Sequence, residues 1–166
     1  MPCEGEQKLR DEVTLADEPA VRALVAATGM FNSEEIDIAA ELVRTRALEG
    51  AECGYEFVVE DGPEGLVGYA CWGRVEGTRN SYDLYWIAVA SDRQGRGCGR
   101  RLLAAAEARI ATAGGGTLWL DTAGRDDYRP TRAFYRACGY EEQARLRDFY
   151  SPGDDKVIFA RRIAAA

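Results

Sequence analysis

The stretch Tyr82–Leu103, YDLYWIAVASDRQGRGCGRRLL, constrains the fold of this chain more than any other. It begins as a strand, because Leu84 to Val89 is an apolar run rich in aromatic and β-branched side chains. After Ser91-Asp92 it passes through Gln94-Gly95-Arg96-Gly97-Cys98-Gly99 into a helix rich in Ala and Leu. The alternating glycines Gly95, Gly97 and Gly99 allow positive φ and let a ligand approach the main chain with no Cβ in the way. The helix that follows offers its unpaired N–H groups and the positive end of its dipole to the same spot. A strand, a glycine loop and a helix N-terminus in this order make a cradle for phosphate. Arg93, Arg96, Arg100 and Arg101 crowd it, with Asp92 the nearby acid.

The remainder of the chain reads as one mixed α/β domain over residues 1–166. Residues 9–15 suit a short first strand, and Asp17-Glu18-Pro19 opens a helix as a cap with proline in the first turn, running to about Thr28. A second helix starts at Asn32 with Glu35 as its capping-box partner, and Ile36, Ala39, Ala40, Val43 and Ala47 recur at helical spacing. Residues 55–59 and 66–75 alternate as strands around the turn at 61–65, which with the strand before the glycine loop gives an antiparallel meander. The helix from about Gly99 to Ala113 buries Leu102, Leu103, Ala106, Ile110 and Ala113, and Gly114-Gly115-Gly116 ends it. Thr117–Thr122 is then a strand parallel to its predecessor across the helical crossover. Pro130 opens a short helix that Gly139 closes, and 140–147 with 156–163 form a last hairpin.

Charge and rare residues narrow the chemistry. A net charge of −7 argues against nucleic acid or an anionic membrane as a partner. The start, MPCEGEQKLRDEV, has no apolar run of a signal peptide, and no segment reaches the length of a membrane span. Cys3, Cys53, Cys71, Cys98 and Cys138 are odd in number and lack C-x-x-C spacing, so they read as reduced thiols of a cytoplasmic protein with no metal site. Histidine is absent altogether, which removes Ser-His-Asp and Cys-His catalysis and any histidine base. Any chemistry must use carboxylates, tyrosines, water or main chain.

A Walker loop needs Gly-Lys-Ser/Thr, which is missing, and G-x-G-x-x-G fails because Arg100 or Leu102 stands at its third glycine. Gln94, Gly97 and Gly99 instead fill Gln/Arg-x-x-Gly-x-Gly/Ala directly after the strand WIAV. This resembles the acetyl-coenzyme A signature of the GNAT superfamily of N-acetyltransferases. The resemblance implies a single-domain α/β fold with a mixed, mostly antiparallel sheet of about six to seven strands, a splayed parallel pair at its centre and flanking helices. It implies acetyl-coenzyme A as co-substrate. The cofactor would be held by the main chain of Ile87, Ala88 and Val89, by Gln94, Gly95, Arg96, Gly97, Cys98, Gly99 and Arg100, and by Tyr128 and Thr131. The Val89 amide would face the thioester oxygen. The loop between the first helices, with Met30 and Phe31, either lines the acceptor site or simply anchors itself on the core.

Transfer to an amine needs a base and a proton donor for the departing thiolate. Tyr135, in RAFYRACGY, matches the position of the tyrosine acid in the family pattern A-x-x-(F/L)-Y-x-x-x-G-(F/Y). Two aspartates stand where relatives carry a basic glutamate: Asp83 on the strand before the glycine loop, and Asp121 in LWLD. Asp121 is slightly preferred because its strand leads into the tyrosine helix. LWLD and the tail RLRDFYSPGDDKVIFARRI also resemble the ribosomal-protein N-terminal-alanine acetyltransferases, though Tyr128 falls where those carry asparagine. Asp126, Asp127, Asp154 and Asp155 either favour a cationic acceptor or are solvated loop charge. The expected partners are acetyl-coenzyme A and an amine acceptor, with the protein a monomer or homodimer. Two rival readings remain: an NAD(P)-binding oxidoreductase, since Asp121 follows Gly99 at about the spacing of a ribose-binding acid, and a non-catalytic acyl-coenzyme A sensor.

Overall fold

The computed structural model describes residues 8–166, so Cys3 lies outside the described part. In chain order the elements are β1 (Lys8–Arg10), α1 (Asp17–Ala27), α2 (Ser33–Glu49), β2 (Tyr55–Gly62), β3 (Gly65–Arg74), β4 (Ser81–Val89), α3 (Cys98–Thr112), β5 (Gly116–Ala123), α4 (Arg129–Ala137), β6 (Glu141–Ser151) and β7 (Asp154–Ile163). Seven strands hydrogen-bond in the order β1-β2-β3-β4-β5-β7-β6. β1–β2, β2–β3, β5–β7 and β6–β7 are antiparallel, whereas β4 and β5 are parallel. The chain divides into two compact units, the first running to Arg74 and adding Tyr85–Ala108, the second Val75–Leu84 with Arg109–Ala166.

In the first unit, α1 and α2 bury Val21, Leu24, Val25, Ala39 and Val43 against Phe57, Val59, Tyr69 and Cys71 of β2 and β3. α2 begins as expected: Asn32 accepts from Glu35 N, and the Glu35 carboxylate accepts from Asn32 N. The start of the chain differs from expectation. β1 ends at Arg10, because the Asp17 carboxylate accepts from Thr14 N at 2.7 Å and folds the approach into a turn. Asp17 is therefore the first helical residue rather than the cap, which is Ala16. Its carboxylate also meets Arg10, which reaches on to Asp61.

A bulge at Glu60/Asp61 lets these neighbours point to different duties. Asp61 binds Arg10, while Glu60, only 1% exposed, turns inward to Arg101. Leu102, Leu103 and Ala106 of α3 are buried as the pattern required. Ala113 is not, because the helix stops at Thr112.

In the second unit, Leu118, Leu120, Val157 and Phe159 are buried, and the Tyr135 ring lies 6.0 Å from Phe159 and 6.1 Å from Tyr140. Residues two apart on a strand share a face, so Trp119 and Asp121 of β5 lie on the opposite side from Leu118 and Leu120.

Candidate active site

The glycine loop belongs to the first unit. Val89 ends β4, Ser91–Arg93 make a 3₁₀ turn, and Gln94 Nε2 donates back to Val89 O at 3.2 Å. Gly95 and Gly97 take φ of 74° and 80°, a region that side chains with a Cβ disfavour. Gly99 does not share this role; it is helical, in the first turn of α3.

Not every arginine of the loop faces a ligand. Arg101 grips Glu60 through Nη2 (2.6 Å) and Nε (3.1 Å), and its Nη1 donates to Arg96 O at 3.1 Å. It is a brace that ties the loop to β2. Arg93 pairs with Asp92, whereas Arg96 and Arg100 are exposed beside the loop. Cys98 is buried, and burial together with the Glu60 carboxylate pushes its thiol up to about 12. It is an inert packing group, and only its main chain is suited to a ligand. Glu60 escaped notice in the sequence, although a carboxylate closing the apolar run FVV was a visible signal. Phe31 packs edge-on against Trp86 at 4.7 Å, a contact that anchors its loop.

The residues proposed for proton transfer lie in the second unit. The parallel ladder pairs Ser81, Tyr82 and Asp83 with Thr117, Leu118 and Trp119 and stops there. Asp83 therefore shares a face with Trp119 and hence with Asp121. Asp121 is tied on both oxygens: Tyr150 Oη donates to Oδ2 at 2.8 Å, and Lys156 Nζ lies 3.4 Å from Oδ1. The same ammonium sits 4.8 Å from the Phe149 ring centroid. The Asp83 carboxyl is raised, by burial first and then by the Asp121 charge, with Lys156 opposing. Tyr135 is buried, and its phenol is pushed above its ordinary value by desolvation, with the Asp121 charge adding to it. It stays a neutral hydrogen-bond donor at physiological pH. Lys156 and Tyr150 were not among the candidates from sequence; the signal was a lysine in a chain whose basic residues are nearly all arginine.

The loop after β5 is built from inside. Arg132, buried, donates from Nη1 to Ala123 O at 2.8 Å and to Arg125 O at 3.0 Å. Asp154, also buried, accepts from Gly124 N at 3.2 Å and pairs with Arg125. Arg125 stacks on Tyr128, its guanidinium carbon 4.8 Å from the ring centroid. Thr131 is half-buried in the first turn of α4. Asp126 pairs with Arg129, Asp127 with Arg125, and Asp155 with Arg145 and the Asp148 amide. Asp154 is thus a buried structural acid, whereas Asp126 and Asp127 keep exposed carboxylates and remain solvated loop charge beside their arginine partners.

Residues 53–142 match the family model described as Acetyltransferase (GNAT) domain. The chain belongs to the GNAT family. A GNAT acetyltransferase structure from Desulfovibrio desulfuricans is 43% identical, with TM-score 0.93 over 96% of this chain and 100% of that one. The ribosomal-protein-S18-alanine N-acetyltransferase of Escherichia coli shares the GNAT fold at 21% identity and TM-score 0.76, covering 97% and 96% of the two chains. An aminoglycoside 6′-N-acetyltransferase complexed with coenzyme A does so at 18% identity and TM-score 0.74, covering 96% and 98%. No curated protein sequence matches this chain. As a GNAT acetyltransferase, the chain is set apart from dinucleotide-binding oxidoreductases. Among the described residues, no group of His, Cys, Asp and Glu is placed to hold a metal ion, and no helix is long and apolar enough to cross a membrane.

Proposed function

We propose that this GNAT protein, acting as one catalytic domain over residues 1–166, transfers an acetyl group from acetyl-coenzyme A to a primary amine by direct attack, with no covalent enzyme intermediate. The observation that carries the reading is the loop after β4. Gly95 and Gly97 hold a left-handed path into the N-terminus of a 15-residue helix, where first-turn amides lack intrahelical partners. That chemistry suits a diphosphate, and Arg96 and Arg100 add charge. The main chain of Ile87, Ala88 and Val89 would run alongside the pantetheine arm, the Val89 amide donating to the developing oxyanion, which is worth a few kcal/mol in such sites. Tyr128 and Thr131 would contact the same arm.

The amine nitrogen attacks the thioester carbon, and the C–S bond breaks. Tyr135 donates to the departing sulfur, and its burial keeps the phenol protonated until negative charge appears there. An aspartate, Asp83 or Asp121, takes the proton that the amine must lose. Cysteine plays no covalent part: Cys98 is held as a thiol and no histidine exists to activate any cysteine.

The test is thiol release from acetyl-coenzyme A with a panel that holds simple amines, an aminoglycoside and an alanine-starting peptide, the acceptors of its structural neighbours. We expect release with at least one acceptor and a fall of roughly tenfold or more in kcat for Tyr135→Phe. Coenzyme A binding with no release for any acceptor would instead make the chain an acyl-coenzyme A sensor.

A further inference from the structure

Of 21 basic residues, only Lys8 and Lys156 are lysines. Lys156 stands on β7, two residues before Ile158, the register partner of Asp121, and so on the face that carries Asp121. Its ammonium is held between the Asp121 carboxylate and the Phe149 ring, while Tyr150 of β6 closes on the other carboxylate oxygen. Asp83, register partner of Trp119 and so on the same face, has no hydrogen bond or ion pair on its carboxylate among the described residues. Two neighbouring carboxylates thus receive different treatment: Asp121, the more exposed, has a protein donor on each oxygen, and the half-buried Asp83 carboxylate has none.

We propose that Lys156 is a positioning residue which, together with Tyr150, occupies both oxygens of Asp121 and leaves Asp83 as the base of the acetyl-transfer reaction. The proposal rests on the acetyltransferase reading above and sharpens it. Both Asp121 oxygens are already engaged, one by the Lys156 ammonium and one by the Tyr150 hydroxyl, so a substrate amine would have to compete with them there. Protonating the Asp83 carboxylate breaks no side-chain hydrogen bond and gives up only its attraction to the Lys156 charge. The Asp121 charge favours the proton on Asp83, as expected for adjacent carboxylates whose surroundings separate their roles. The groups around the pair are Lys156 from β7 and Tyr150 from β6, and Lys156 is the cation among them. The Tyr135 ring of α4 packs on Phe159, on the face of Leu120, and of the pair feels only the Asp121 charge. An ammonium acceptor gives one proton to Asp83. The resulting amine forms the C–N bond, and the C–S bond breaks. The amine's second proton makes good the one that Tyr135 hands to sulfur, and Asp83 returns its own to solvent.

The experiment is the pH profile of kcat/KM for thiol release, combined with ¹³C NMR titration of the Asp83 carboxyl, which needs no turnover. Lys156→Met removes the cation that opposes the raised Asp83 value, so Asp83 keeps its proton to higher pH. Its acid limb should move to higher pH, lowering the rate at pH 6 relative to pH 8 by roughly threefold or more against wild type. The Asp83 titration should move the same way, and Lys156→Arg should restore both. Asp121→Asn should move the limb and the titration to lower pH, whereas Asp83→Asn should lose the limb and at least about tenfold in kcat/KM. A limb lost in Asp121→Asn and kept in Asp83→Asn would overturn the proposal, as would a Lys156→Met protein that titrates like wild type. Absence of thiol release in the wild type would remove the base role along with the acetyltransferase reading. An Asp83 titration that shifted in that case would show the electrostatic coupling alone.

Discussion

At Asp17 a single carboxylate joins three segments: it pairs with Arg10 of β1, accepts from Thr14 of the turn and starts α1. Burial alone would raise its pKa, but the Arg10 and Thr14 hydrogen bonds outweigh burial and lower it. A lowered folded value means stability that is present above the unfolded value of about 3.9 and is lost as pH falls through the folded one. Asp17→Asn should therefore cost about 1 kcal/mol at pH 7, and thermal melts of variant and wild type should converge as the pH drops below about 4. Among the functional candidates the same logic separates Asp83 from Asp121. Their residue type and strand positions were readable in advance, but the partners that distinguish them come from β6 and β7, about 30 residues away in sequence.

At the scale of elements, the proposed coenzyme A site is built from β4, its loop and α3. Gly97 is the sensitive joint, with φ of 80° and space for a Cβ 3.3 Å from Arg101 Nη1. Gly97→Ala strains the left-handed turn by roughly 1–2 kcal/mol, which an exposed loop relieves by leaving the ligand-ready shape. Calorimetry should show coenzyme A affinity down about tenfold, with a melting temperature close to wild type. Behind the loop, Gly68 of β3 lets the helix approach, since a Cβ there would stand 2.8 Å from Cys98 Sγ. Strand alternation and glycine placement made these elements visible in the sequence. The brace of Glu60 to Arg101 was not, because its partners are 41 residues apart and depend on a bulge that no local pattern announces.

For the whole molecule, binding of one ligand to the folded form alone should raise the melting temperature as its concentration rises. Coenzyme A at about 100 times its dissociation constant should add roughly 2.7 kcal/mol, and NAD at the same concentration should add nothing. A melt that responds to NAD and not to coenzyme A would contradict the proposed ligand. By itself the sequence determined the order of strands and helices, the parallel crossover through α3, the glycine loop and the tyrosine helix, because these follow from periodicity, turn chemistry and spacing along a continuous stretch. Only the tertiary structure decided that β1 stops at Arg10, that Asp154 is buried against the β5–α4 loop, and that Asp121 has side-chain partners while the Asp83 carboxylate has none. Those outcomes depend on which charges meet across the sheet, and such meetings are made by distant strands in register, which one-dimensional spacing does not encode.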